Sequence, residues 1–340
     1  MTYSIALQFE DGTTRFIDCN PEETVADAAY RQGVNVPLDC RDGACGTCKS
    51  QCESGRYDAG DYIEDALSED EAAQGFVLAC QMRPQSNCVV KILASAAACK
   101  AAPAKVSGTL IGLDRSTPTT LSFDIALDAG RKLDFLPGQY ANVTIPGCDE
   151  SRAYSFSSAP GTSTASFLVR DVPGGKMSGY LRTLAELHAP ISFNGPFGSF
   201  YLRDVSRPLL MLAGGTGLAP FLSMLADLAA RGETQRIRLA YGVSNDADLV
   251  GIAQLDALKT KLPGFDYVTC VSSAESTHAR KGYVTQHLAV DALNDGDVDI
   301  YVCGPPPMVE SVRVWLKDTG IAPANFYFEK FSPASEVVAA

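Results

Sequence analysis

Cys40, Cys45 and Cys48 stand in Cys-Arg-Asp-Gly-Ala-Cys-Gly-Thr-Cys, a C-x4-C-x2-C run, and Cys80 follows after a gap in Leu-Ala-Cys-Gln. Three thiols in one tight loop with a remote fourth is the ligand pattern of a plant-type [2Fe–2S] cluster. Gly43 and Gly46 let the loop curl so that backbone N–H groups can face sulfur. The competing reading for Cys80 is a structural cysteine in an apolar strand. Cys52 lies beyond the tight loop and is expected to stand outside the ligand set.

A second group of residues suits nucleotides. Leu209-Leu-Met-Leu-Ala-Gly-Gly-Thr-Gly-Leu-Ala-Pro220 reads as an apolar strand, a Gly-rich turn and a helix start. Gly214, Gly215, Thr216 and Gly217 would let the backbone approach a pyrophosphate at the helix N-terminus. Pro220 stands where a dinucleotide fingerprint has Gly or Ala, a departure from the dehydrogenase pattern; a plain packing turn is the other reading. Tyr301-Val-Cys-Gly-Pro-Pro-Pro-Met308 ends another strand, so Cys303, Gly304 and Pro305 fall on the ligand-binding edge of a parallel sheet. Earlier in the chain, Arg152-Ala-Tyr154-Ser155 offers a bidentate cation, a flat ring and a hydroxyl. Strand alternation puts Arg152 and Tyr154 on one side. A surface arginine and a core tyrosine would look the same. Gly174-Gly-Lys-Met-Ser178 opens an expected helix over Gly179–Leu184 and is a further candidate phosphate site.

Three kinds of scaffold must carry these groups. Residues 1–98 read as a compact α+β unit. Ile5, Leu7 and Phe9 alternate, Asp11-Gly12 turns, Arg15–Asp18 returns, Thr24–Gln32 is a helix ended by Gly33, and Val89–Leu93 closes the unit. Ser95–Ala104, low in information and containing a proline, is expected to be a linker, with the boundaries set at 99–104. From Lys105 to Val205 short strands separated by Gly and Pro predict a small antiparallel β-barrel: Val106–Leu113, Leu121–Leu127, Tyr140–Ile145, Ser166–Val172 and Ile191–Asn194. Residues 206–340 alternate strands and helices, predicting an α/β domain with a parallel sheet covered on both faces. The strands are Leu209–Ala213, Ile237–Val243, Tyr267–Val271, Asp299–Cys303 and Phe326–Phe328. The helices are Ala219–Arg231, Gln254–Lys261, Thr285–Ala292 and Met308–Thr319. The fold class expected is therefore multidomain: α+β of the β-grasp type, then β-barrel, then α/β.

The chain has 340 residues, enough for two or three domains at about 100–150 residues each. Its net charge of −12 argues against a nucleic-acid partner. Residues 1–100 hold 16 acids and 8 bases, so two-thirds of the excess lies in the first unit. The densest run is Asp58, Asp61, Glu64, Asp65, Glu69, Asp70 and Glu71. It reads either as a solvated face or as a docking surface for a basic redox partner. Seven of the eleven cysteines remain after the cluster, an odd number scattered along the chain, which fits a reducing cytoplasm. No apolar run approaches the roughly 20 residues of a membrane span. The three histidines, His188, His278 and His287, form no pattern for a Rieske centre or an oxygen-activating iron.

Arg152-x-Tyr154-Ser155, Gly174–Ser178, Gly214–Pro220 and Cys303-Gly-Pro305 follow the order of the ferredoxin–NADP reductase family. With the N-terminal plant-type ferredoxin pattern, residues 3–332 resemble the reductase components of class IB aromatic-ring-hydroxylating dioxygenases, of the benzoate/toluate 1,2-dioxygenase type. Supporting stretches are Asp27–Gln32, Leu38–Cys48 and Asn325–Phe331. The resemblance implies FAD, one [2Fe–2S] cluster and NADH, an NADH:acceptor oxidoreductase, and a Rieske-type terminal oxygenase as partner. It implies that Arg152 binds FAD phosphate, Tyr154 packs on the isoalloxazine and Ser155 contacts its N5 edge. Gly175, Lys176, Met177 and Ser178 would hold the pyrophosphate, Gly214–Gly217 the nicotinamide nucleotide, and Cys303-Gly304-Pro305 the nicotinamide end. Phe331 resembles the family's terminal aromatic over the flavin, and Ser155, Cys303 and Phe331 are the residues at the reacting centre. A flavin between NADH and the cluster takes electrons in a pair and passes them on singly. A cytoplasmic monomer with no membrane or nucleic-acid partner is expected. Two alternatives stay open: a reductase serving a diiron monooxygenase, and a non-catalytic redox sensor.

Overall fold

The computed structural model describes residues 2–100, 104–128 and 130–331. The expected tail Pro333–Ala340 and part of the expected linker, residues 101–103, lie outside them. The chain divides into two compact units, one running to Ala104 together with Gly195–Ser199, the other made of Lys105–Asn194 and Phe200 onward.

The first unit holds β1 (Tyr3–Phe9), β2 (Thr14–Cys19), α1 (Val25–Arg31), β3 (Lys49–Ser54), β4 (Tyr57–Asp58), α2 (Glu69–Ala73), β5 (Phe76–Leu78), β6 (Arg83–Pro84) and β7 (Cys88–Ile92). The main sheet runs β2-β1-β7-β3-β5, with β1 and β7 parallel. The alternation in β1 buries Ile5, Leu7 and Phe9. Thr24 caps α1 by accepting the Asp27 N–H, and Gly33, at φ +78°, turns the chain beyond it. The strand β3, Lys-Ser-Gln-Cys-Glu-Ser, is too polar to signal itself, but its inward positions are Ser50 and Cys52. The expected linker is corrected at both ends. The Ala96 N–H donates to Asp11 Oδ2 (2.8 Å), the Cys99 carbonyl accepts from Asn35 N–H (2.9 Å), and Cys99 is buried. Small side chains at Ala94, Ala96 and Cys99 pack against the unit, and Ala104 already belongs to the next strand.

The second unit begins with β8 (Ala104–Asp114), β9 (Thr120–Leu127), β10 (Tyr140–Thr144), β11 (Ser151–Ser155), β12 (Thr164–Arg170), α3 (Lys176–Thr183) and β13 (Pro190–Phe197). The six strands run β11-β10-β13-β8-β9-β12, and a bridge between Phe156 and Phe167 nearly closes them into a barrel. Phe123, Phe156, Phe167 and Phe193 fill it with stacked and edge-on rings.

The remainder is β14 (Leu209–Gly214), α4 (Leu218–Arg231), β15 (Ile237–Val243), α5 (Ile252–Lys261), β16 (Phe265–Val271), β17 (Asp299–Gly304), α6 (Pro306–Thr319) and β18 (Asn325–Lys330). All five strands are parallel, in the order β16-β15-β14-β17-β18. Apolar clusters lie on both faces of the sheet, as wholly apolar strands require. The helix expected over Thr285–Ala292 does not form. Leu288 and Ala289 are extended, splitting the segment into two 3-10 turns at Val284–His287 and Val290–Gly296. This crossover runs from the edge strand β16 past two strands to β17. Extended residues gain about 3.3 Å each against 1.5 Å in a helix, while Val284, Ala292 and Leu293 still reach the core.

Candidate cofactor sites

Residues 34–48 have no regular structure, and Arg41, Gly43 and Gly46 adopt left-handed backbone at φ +65°, +81° and +73°. A Cβ on Gly43 would fall on the Asp61 carbonyl oxygen, so this turn requires glycine. The four thiols fall into two pairs. The Cys45 N–H points at Cys40 Sγ (3.4 Å). Cys48 and Cys80 hydrogen-bond to each other; that contact, with the Gly43 N–H and the Gln81 side chain, draws Cys80 down to about 7 and pushes Cys48 up. Among the described residues no three such side chains surround a single point, as a lone ion would need. A two-iron cluster takes thiolates two per iron, and pairing is what this loop provides. Cys52 turns elsewhere, donating to the Ser54 carbonyl (3.3 Å) beside Cys88.

On the barrel, Arg152 and Lys176 converge on one carboxylate. Arg152 Nη2 lies 3.0 Å from Glu150 Oε2, and Lys176 pairs with Glu150 Oε1. Two cations sharing an anion beside a helix start suit a phosphate. The α3 N-terminus has no side-chain cap, so no side chain competes with a ligand for its first N–H groups. Ser178 is committed to its own loop, exchanging hydrogen bonds with Val172 N–H and carbonyl (3.3 and 3.2 Å). The Met177 side chain is buried in the barrel core, leaving only its backbone for a ligand. Tyr154 packs edge-on against Phe123 at 6.4 Å, and burial pushes its hydroxyl above the usual range. Ser155 is buried at the end of β11.

The Gly-rich turn divides its labour. Gly214 approaches the next strand's loop: a Cβ there would stand 2.5 Å from Met308 Sδ and 3.0 Å from Pro305 Cδ. A Cβ on Gly217 would fall on the Cys303 carbonyl. Gly215 alone, at φ +55°, faces open space, with half-exposed Thr216 beside it. Packing thus accounts for Gly214 and Gly217, and Gly215 is the glycine of this turn left open to solvent.

Cys303 is fully buried at the carboxyl end of β17. Burial and the neighbouring Glu329 carboxylate raise its thiol well above the ordinary value. Glu329 Oε2 accepts from Ser155 Oγ (3.3 Å) and from Cys303 Sγ (3.9 Å), so one carboxylate ties the barrel residue to the sheet residue. Glu329 was not among the sequence candidates; its signal was its place in Glu-Lys-Phe331 at the end of the last strand. The Phe331 N–H donates to the Gly304 carbonyl (2.9 Å), setting that ring on the same sheet edge.

Beyond β15, Asp246 accepts from Ser276 Oγ (2.5 Å) and Thr277 N–H (3.1 Å), and Asp248 from Asn245 N–H (2.8 Å) and Thr119 Oγ1. Both carboxylates are anchored, and no lysine or arginine stands in 244–248.

A thiol-paired loop, a flavin-type barrel and a parallel sheet with a glycine turn define an iron–sulfur flavoprotein reductase. Family models match each part: a 2Fe-2S iron-sulfur cluster binding domain over residues 8–85, an oxidoreductase FAD-binding domain over 109–201 and an oxidoreductase NAD-binding domain over 211–314. The chain is 58% identical to the 2-halobenzoate 1,2-dioxygenase electron transfer component of Burkholderia cepacia, over 98% of this chain and 99% of that one. It is 52% identical to the toluate 1,2-dioxygenase electron transfer component of Pseudomonas putida, over 98% and 100%. The phenol 2-monooxygenase reductase component DmpP of Pseudomonas sp. is 32% identical over 99% and 96%. Among solved structures, the Amycolatopsis cytochrome P450 reductase GcoB superposes with a TM-score of 0.73 at 31% identity, over 97% and 100%. The chain belongs to the family of electron transfer components of aromatic-ring 1,2-dioxygenases. It is an oxidoreductase with [2Fe–2S], FAD and NAD domains. Among the described residues no helix is long and apolar enough to cross a membrane.

Proposed function

We propose that this chain draws electrons from NADH through FAD to its [2Fe–2S] cluster and delivers them to the Rieske-type oxygenase of a benzoate-type ring 1,2-dioxygenase. The observation that carries the reading is Glu329 accepting from both Ser155 and Cys303, because it joins the edge of the barrel to the nicotinamide end of the sheet. Cys40, Cys45, Cys48 and Cys80 hold the cluster, two thiolates to each iron. Arg152, with Gly175, Lys176 and the backbone of Met177 and Ser178, holds the FAD pyrophosphate, while Tyr154 and Ser155 line its ring. Gly215 and Thr216 meet the nucleotide phosphates, and Cys303, Gly304, Pro305 and Phe331 frame the ring end. Bound FAD accepts a hydride and gives up electrons singly. Burial and Glu329 keep Cys303 protonated, so it would add no negative charge beside a bound ring. The Glu329 carboxylate would supply counter-charge to an oxidised nicotinamide bound at this edge.

Domain limits of 1–98, 105–205 and 206–340 follow from this reading, with residues 95–100 attached to the first. No disulfide joins the described cysteines, and the seven outside the cluster set stay reduced, which supports a cytoplasmic location. A monomer is the state expected of this reading, and light scattering tests it. Identity of 58% and 52% to dioxygenase components against 32% to a phenol monooxygenase component favours the ring dioxygenase over a diiron partner. Anaerobic rapid mixing with NADH should bleach the flavin first and the cluster second, followed by reduction of an added Rieske-type oxygenase. A flavin that NADH cannot reduce, or an oxygenase that stays oxidised, would defeat the proposal.

A further inference from the structure

The segment between β13 and β14 crosses from the barrel to the parallel sheet, and Arg203 lies in it. Its guanidinium stands 3.6 Å from the Tyr201 ring centroid and 4.6 Å from that of Tyr327. Arg203 Nη1 donates to the Tyr201 carbonyl (2.8 Å), and its backbone N–H donates to the Tyr301 hydroxyl (3.0 Å). Tyr301 and Tyr327 are register partners on β17 and β18, their rings 4.8 Å apart. Two residues on, the next same-face register pair is Cys303 and Glu329.

The same segment grips the barrel. The Leu202 N–H donates to the Pro137 carbonyl (2.8 Å). Gly138, at φ +111°, is pressed so close that a Cβ there would lie 2.7 Å from the Phe200 carbonyl oxygen and 2.9 Å from Tyr201 Cα. The next carbonyl, Gln139, accepts the Phe156 N–H (3.1 Å), directly after Ser155. One unbroken path of contacts thus leads from Ser155 through 137–139 and 200–203 to the tyrosine pair beneath Cys303 and Glu329.

We infer that Arg203 is a positioning residue for hydride transfer: held between Tyr201 and Tyr327, it sets the distance at which Cys303 and Glu329 meet Ser155. A hydrophobic side chain could fill the gap between the rings. It could not give a cation that lies over two aromatic rings while donating to a carbonyl. Small errors of placement at a reacting centre cost rate far more than affinity. The inference rests on the proposed roles of Ser155, Cys303 and Glu329. A slower flavin reduction in Glu329→Gln tests those roles, and the variants at 203 and 327 test Arg203.

Arg203→Gln should slow flavin reduction at saturating NADH by roughly tenfold. The NADH KM should change less than about threefold, FAD and iron content should hold, and the isotope effect with 4-deuterated NADH should rise. Arg203→Lys should recover part of the rate. Tyr327→Leu should mimic Arg203→Gln, and the double variant should be no slower than the worse single one, because both remove the Arg203–Tyr327 stack. If Arg203→Gln is poorly folded, Tyr327→Leu and Arg203→Lys give the same reading. A lowered melting midpoint with an unchanged flavin-reduction rate would overturn the inference, as would a raised KM with an unchanged limiting rate.

Discussion

Gly215 and Gly217 sit two residues apart in the same turn, yet substitution should harm the protein in different ways. At Gly217 the added methyl of Gly217→Ala falls on the Cys303 carbonyl, with the Gly304 nitrogen 3.1 Å away. Both neighbours are backbone of β17 and cannot swing aside. Overpacking against rigid neighbours costs about 1–3 kcal/mol. The strain is relieved by pushing β17 outward, carrying Cys303 from Ser155. The expected result is a melting midpoint lowered by several degrees and a slower flavin reduction at saturating NADH. Gly215, at φ +55°, has nothing within 4 Å of its missing Cβ. An ordinary side chain in left-handed backbone costs roughly 1–2 kcal/mol, but asparagine tolerates it. Gly215→Asn should therefore stay close to wild type in stability while its amide projects where the nucleotide phosphates are placed. NADH KM should rise steeply with the limiting rate largely kept. Thermal unfolding and steady-state kinetics with ferricyanide separate the two. An unchanged KM in Gly215→Asn would show that the open space is not the nucleotide site. Undiminished stability in Gly217→Ala would refute the close approach of the turn to β17.

Cys52→Ser should leave the visible cluster absorption intact and Cys45→Ser should abolish it; loss in both would redraw the ligand set. Removing residues 1–98 should spare NADH–ferricyanide activity and sharply reduce delivery to cytochrome c and oxygenase, whereas full oxygenase reduction by the truncated chain would mean the cluster is not the exit. NADH should be preferred over NADPH, since residues 244–248 carry two anchored carboxylates and no cation for a 2′-phosphate; comparable kcat/KM for the two would place phosphate recognition elsewhere. The Glu23 carboxyl, held down to about 2 chiefly by its hydrogen bond from Arg31, stabilises the fold above its ordinary value near 4.5, and that contribution fades as pH falls toward 2. Glu23→Gln should lower the melting midpoint at pH 7, and the gap to wild type should narrow by about pH 3; a gap independent of pH would exclude this ion pair as its source.

What could be read from sequence was chemistry written in short spacing. The cysteine run, the glycine turn after an apolar strand and Arg-x-Tyr-Ser each place several reactive types within one loop or strand, and local geometry then follows from residue type. The crossover after β16 misled because its apolar spacing fits a helix, while the distance it spans across two strands demands extended residues. The linker misled because a run of alanines carries no pattern, yet small side chains are what close packing against Asn35 and Asp11 needs. Glu329 was hidden for a different reason. It meets Ser155 across 174 positions and Cys303 across 26, and neither meeting has a spacing to recognise. The contact with Cys303 exists only because β18 pairs with β17 in a register that sets Cys303 opposite Glu329. That with Ser155 joins barrel to sheet across a connector that carries no motif of its own. A motif can state which groups are present, but a centre shared by two domains depends on strand order and on the connector, and both are fixed by packing of residues that carry no chemistry of their own.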